Sequence, residues 1–151
     1  MINLPVFGEK KENVNYIERQ GSYGLLSNEN LDIAVVRVGD NYFLPGGSTE
    51  SEETNGQCLH RELMEELGVV FDNSLFVGSA VDLVKSEKSD EYFRIEGYYY
   101  HVTDFNVVAG QKDKDHIVEW IVPDKAMDLL NRGAQKWAIR QLLKFQKKIF
   151  S

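Results

Sequence analysis

The segment from Gly47 to Gly68, GSTESEETNGQCLHRELMEELG, constrains this 151-residue chain more than any other. Six of its twenty-two residues are glutamate. Thr54 followed by Gln57 matches a capping box, and Gly68 suits the left-handed position just past a helix end. The spacing therefore predicts a helix between them. Advancing about 100° per residue from Glu62 puts Glu66 at about 40° and Glu65 at about −60°. The three carboxylates share one arc, and Leu59, Leu63 and Leu67 form an apolar stripe beside it. Like charges one turn apart each cost roughly 0.2–0.5 kcal/mol, so the arc needs an offset. Carboxylates at the edge of a buried face make an oxygen-ligand site for a hard cation, of which magnesium is the natural choice. The plain alternative is a solvated acidic face.

The remaining pattern is rich in strands. Residues 14–26 read as strand material interrupted by Gly21. Leu31–Val38 alternates Ile33, Val35 and Arg37 on one face with Ala34, Val36 and Val38 on the other. Tyr42-Phe43-Leu44 is a short strand that Pro45-Gly46-Gly47 ends. Leu75–Leu83 and Tyr92–Val102 read as strands joined by a polar hairpin loop, Lys85–Glu91. Gly110–His116 is a charged loop leading into a strand at Ile117–Val122. Beyond Pro123 lie helical stretches at about 124–130 and 134–149, parted near Arg132-Gly133. One helix embedded among strands and another at the end predict an α+β sandwich rather than regular βαβ units. The length suits a single domain spanning 1–151.

Composition narrows the function classes. A net charge of −7 argues against nucleic-acid polymers and anionic membranes as partners. It leaves room for a small anion if a metal ion stands between that anion and the acids. The single Cys58 forms no internal disulfide and reads as a small buried hydrophobe, and three scattered histidines give no zinc spacing. With no spanning stretch and no secretory pattern at the start, the expectation is a cytoplasmic protein.

Gly47, Glu53, Arg61-Glu62-Leu63, Glu65-Glu66 and Gly68-Val69 stand at the spacings of the signature of the Nudix hydrolase superfamily, which this segment resembles without a mismatch. The Pro-Gly-Gly turn before the segment, the strand-rich centre, the C-terminal helix and Trp120 resemble the family layout, an α/β/α sandwich with a mixed β-sheet. Gly56 departs from the small helix formers usual at that point, at a cost of up to about 1 kcal/mol.

The resemblance implies that Glu62, Glu65, Glu66 and the Gly46 carbonyl bind magnesium, with manganese a substitute. It implies that Arg61 and Glu53 pair to shape the loop, and that Glu62 is the general base. In several relatives the base or a further ligand comes from a later loop. Here Asp115 is the leading candidate of that kind and Glu119 the second, against the alternative of a solvated loop. Arg37 could reach a phosphate or base, or snorkel at the sheet edge.

For the substrate, the superfamily cleaves nucleoside diphosphates linked to another group. Val84-Lys85-Ser86-Glu87 stands where a proline marks ADP-ribose enzymes and a nearby tyrosine marks those for dinucleoside polyphosphates. Elimination leaves a (deoxy)nucleoside triphosphate, hydrolysed by a monomer or homodimer. A non-catalytic Nudix domain that binds or senses a nucleotide or nucleotide sugar is the rival reading. The aromatic run Tyr92, Phe93, Tyr98, Tyr99, Tyr100 suggests core and sheet surface before a base-stacking platform. The stripe Lys136, Arg140, Lys144, Lys148 suggests the solvated face of a docked helix.

Overall fold

One strand with two apolar faces organises the fold. In the computed structural model, which describes residues 3–111 and 114–150 with side chains through 146, Ile33 and Val35 of the strand Ile33–Val38 enter one core. Ala34 and Val36 enter another. The first core lies beneath the C-terminal helices, with Leu25, Tyr99, Ala138 and Ile139. The second lies beneath the glutamate-rich helix, whose Leu59, Leu63 and Leu67 all point into it. Sheet between helical layers is the α/β/α sandwich that the resemblance implies.

In chain order the strands are β1 (Val6–Phe7), β2 (Tyr16–Leu26), β3 (Ile33–Val38), β4 (Asn41–Phe43), β5 (Gly46–Ser48), β6 (Val69–Phe71), β7 (Leu75–Lys85), β8 (Tyr92–Val102), β9 (Phe105–Val107) and β10 (His116–Ile121). The helices are α1 (Asn55–Leu67), α2 (Pro123–Leu129) and α3 (Gly133–Phe150). One sheet runs β1-β7-β8-β2-β5, with β2 parallel to β8 and antiparallel to β5. A second runs β10-β3-β4, entirely antiparallel, and β6 pairs with β9.

Several boundaries differ from the sequence expectation for physical reasons. Gly21 does not interrupt β2. It pairs with Ser48 and Gly97, and a Cβ there would stand 2.8 Å from the Gly47 carbonyl, so glycine permits close strand approach. Gly46-Gly47 does not merely end a strand but opens β5. The last strand stops at Ile121 because Val122 is already the N-cap residue of α2, with Pro123 inside the first turn. Of the charged loop, residues 112 and 113 lie outside the described residues.

The aromatic run divides by strand alternation. Tyr99 is buried, stacked on Tyr23 at 5.5 Å and edge-on to Trp137. Tyr98 and Tyr100 lie with Phe76 on the opposite face. In α3, Arg140 and Lys144 are exposed, and Lys148's side chain lies outside the described set. Among the described residues no helix is long and apolar enough to cross a membrane.

Candidate active site

The helix signals act as the sequence predicts. The Thr54 hydroxyl accepts from the Gln57 amide at 3.1 Å, and the Gln57 side chain accepts from the Thr54 amide at 2.9 Å. Gly68 ends the helix at φ +64°, and a Cβ there would strike the Ala109 carbonyl. Cys58 is buried, as expected of a small apolar side chain.

Arg61 ties the loop to this helix. Its Nε and Nη2 donate to Glu53 at 2.7 and 2.9 Å, a bidentate pair, and Nη2 also donates to the Ser48 carbonyl at 3.0 Å. Its Nη1 donates to Glu62 at 2.9 Å and to Glu65 at 3.4 Å, with Glu50 at 3.7 Å. These bonds, with the amide of Glu50, hold the Glu53 carboxyl at about 2, well below its ordinary range. Four glutamates thus share one guanidinium. Burial is the main cause that raises Glu62, which Arg61 only partly offsets.

Glu66 turns the other way. Its Oε1 accepts from the Gly46 amide at 2.9 Å, and its Oε2 lies 3.8 Å from His116 Nδ1. Gly46 has φ +145°, and a Cβ on it would run into the Ser22 carbonyl. A Cβ on Gly47 would lie 2.5–2.8 Å from the Glu62 carboxyl. Backbone without side chains therefore meets both acids directly. Glu62, Glu65 and Glu66 share the predicted arc, but among the described residues no three acids, histidines or cysteines stand grouped as a ready-made cage. The donor chemistry fits a hard cation all the same: oxygen donors, short of positive charge, pressed against a backbone cradle that a side chain would fill.

Glu66 stands at the edge of a cleft of about 270 Å³, near the lower end of the roughly 300–1,000 Å³ usual for small-molecule sites. Val36, Val38, Phe43, Gly46 to Ser48, His116, Arg132 and Gln135 line it with Tyr23, Leu44 and Ile95. Arg37, Asp115 and Glu119 do not line it. Strand alternation puts Arg37 on the opposite face of β3 from Val36 and Val38, where its Nε donates to Glu119 at 3.1 Å across the β3–β10 ladder. Asp115 is exposed in the turn before β10. The sequence reading missed His116, Arg132 and Gln135. For His116 a signal exists, since it alternates with Val118 and Trp120 on the β10 face that meets Ala34, Val36 and Val38.

A strand-framed cleft with an acidic helix at its rim is an architecture shared with known proteins. The chain belongs to the Nudix family, whose NUDIX domain model matches residues 18–143. Among solved structures it is similar to a MutT protein from Bacillus halodurans, with TM-score 0.68 and 16% identity over 83% of this chain and 82% of that one. A MutT NUDIX hydrolase from Burkholderia pseudomallei gives 0.64 and 18%, over 83% and 98%. The E. coli dihydroneopterin triphosphate pyrophosphohydrolase gives 0.66 and 16%, over 81% and 92%. No curated protein matches the sequence.

Proposed function

We propose that this chain is a divalent-metal-dependent nucleotide pyrophosphohydrolase that uses water to split a (deoxy)nucleoside triphosphate into monophosphate and pyrophosphate. One observation carries the reading: the half-buried carboxyls of Glu62 and Glu66 press against Gly46 and Gly47 where the acidic helix meets the cleft. The similarity to a dihydroneopterin triphosphate pyrophosphohydrolase and to MutT proteins supports a triphosphate as substrate.

Glu62, Glu65 and Glu66, with the Gly46 carbonyl, would hold magnesium or manganese. Bound there, such an ion neutralises the diphosphate's charge and lowers the pKa of a water. Glu62 is the general base: burial strengthens its hold on a proton, and Arg61 engages Oε1, leaving Oε2 to accept. Arg61 and Glu53 are positioning residues that fix the loop against the helix. Sequestered with each other, Arg37 and Glu119 play no part in this scheme.

The test is a panel of nucleoside triphosphates, ADP-ribose, dinucleoside polyphosphates and nucleotide sugars, with magnesium and with chelator, beside Glu66→Gln. Metal-dependent release of pyrophosphate from a triphosphate, lost in the variant, is the expected result. Nucleotides that raise the melting temperature without any turnover would replace catalysis by sensing.

A further inference from the structure

β4 is the edge strand of its sheet, and a single asparagine stands where the next strand would be. The Tyr42 N–H donates to Asn131 Oδ1 at 2.6 Å, and the Tyr42 carbonyl accepts the Asn131 N–H at 3.1 Å. Asn131 thus offers Tyr42 one acceptor and one donor, as a residue on a paired strand does. The carboxamide has one orientation, because Oδ1 must face the Tyr42 N–H. Its Nδ2 then donates to Asn41 Oδ1 at 3.0 Å, and Asn41 Nδ2 donates to Glu87 at 3.1 Å. Two residues further along the same edge, the Leu44 N–H donates to Gln135 Oε1 at 2.8 Å. The chain between α2 and α3 is therefore fastened to β4 at two points.

We propose that Asn131 is a positioning residue for substrate binding, which holds Arg132 and Phe43 together where both line the cleft. The proposal rests on the nucleotide reading above. Phe43 follows Tyr42 and Arg132 follows Asn131, so the two bonds join the immediate neighbours of both lining residues. Held in this way, the Arg132 guanidinium lies 5.0 Å from the Phe43 ring centroid, a cation on an aromatic face. A guanidinium carries donors alone and keeps its charge, which suits an anionic ligand. Asn131 itself is exposed, so water can replace its bonds to Tyr42 and the fold does not depend on them. Water cannot replace their direction. Without the acceptor, nothing sets the path of the loop that carries Arg132 to the ring. The side-chain partners of Asn131 are Tyr42 and Asn41, not the acids of α1, so its influence falls on binding and not on the chemical step.

The experiment compares Asn131→Ala and Asn131→Asp with the wild type by steady-state kinetics and by NMR of protein labelled with ¹⁵N-arginine. Asn131→Asp keeps an acceptor for the Tyr42 amide, and Asn131→Ala keeps none. The alanine variant should raise KM for the triphosphate roughly tenfold with kcat within about twofold. It should also move the Arg132 Nε–H resonance out of the Phe43 ring current. The aspartate variant should restore both. A residue that only stabilised the fold would lower Tm and leave KM alone. Asn131→Leu removes the acceptor at similar volume and serves if the alanine variant unfolds. An unchanged KM in a folded variant without the acceptor, a fall in kcat alone, or an aspartate variant as poor as the alanine one would overturn the proposal. If no triphosphate turns over, the hydrolase reading fails and the same comparison is made on the affinities for GTP and ATP by titration. Binding about tenfold weaker in Asn131→Ala than in Asn131→Asp then upholds the positioning role, and equal or unmeasurable affinities sink it.

Discussion

The carboxyl group of Glu62 occupies the space that a side chain on residue 47 would need: a Cβ on Gly47 would stand 2.5 Å from Oε1 and 2.8 Å from Oε2. Gly47 is held on β5 by pairing with Ser22, so the backbone cannot simply retreat. Gly47→Ala must then move the Glu62 carboxyl, by something near an ångström. A displacement of that size at a reacting group costs about 100-fold in rate. The expected result is a kcat/KM for triphosphate hydrolysis lower by about two orders of magnitude, with the fold intact by circular dichroism. An active Gly47→Ala enzyme would show that Glu62 does not act from this position.

Glu53 makes a different prediction because its role is to orient. Its carboxyl titrates at about 2 in place of the ordinary 4.5, chiefly through the hydrogen bonds from Arg61. A depressed folded pKa means that the loop-holding contribution is complete above 4.5 and disappears as pH falls through about 2. A carboxyl-carbon NMR titration should find that low midpoint for Glu53. Arg61→Lys cannot make the bidentate pair, so its midpoint should rise toward 4.5. An unmoved midpoint would assign the depression to the Glu50 amide instead.

The acidic helix was legible because everything that defines it is local: a capping box four residues long, a leucine stripe at helical spacing, and a glycine stop. Arg61 and Glu53 sit eight residues apart, within reach of one loop. The cleft is another matter. His116, Arg132 and Gln135 line one cleft with Phe43 and Glu66 only through the pairing of β10 with β3 and the docking of α3; strand alternation hints at His116, but nothing local distinguishes Arg132 or Gln135. Alternation correctly placed Arg37 on the face of Ile33 and Val35, away from the cleft. It could not show that Glu119, eighty-two residues on, would hold it there. β1, β5, β6 and β9 run to two or three residues each, too short to show a period. Tertiary pairing creates them.

Gly56 is a weak point in α1 that can be repaired. It is exposed in the first turn, and a Cβ there would meet only Thr54 Oγ1, at an ordinary 4.0 Å. Its backbone is helical, so alanine fits without strain and lowers the entropy of the unfolded chain. Gly56→Ala should add about 0.5–1 kcal/mol and raise Tm by about 2–4 °C, with kcat unchanged. A lower Tm would mean that the first turn needs glycine for a reason its geometry does not show.

Asp82 tests how α3, and with it Gln135, is anchored. It is 4% exposed, and its Oδ1 accepts the Ala134 amide at 2.9 Å, acting from β7 as a remote cap on the helix start. Burial raises its pKa above the ordinary 3.8, with the Ala134 amide and then Arg132 pulling the other way. Because the folded value is the higher one, the native state binds this proton more tightly than the unfolded chain. The associated stability is fully present below 3.8 and is lost as pH rises through the raised value. Asp82→Asn keeps the acceptor oxygen and removes the buried charge, so its stability at pH 7 should equal or exceed that of the wild type. Asp82→Ala leaves the Ala134 amide unpaired and should cost about 1–3 kcal/mol. Urea unfolding from pH 3 to 8 separates the two, with the difference between Asp82→Asn and wild type growing as pH rises. A gap that instead shrinks with pH would mean that Arg132 outweighs burial at this site and that the charge itself holds the helix in place.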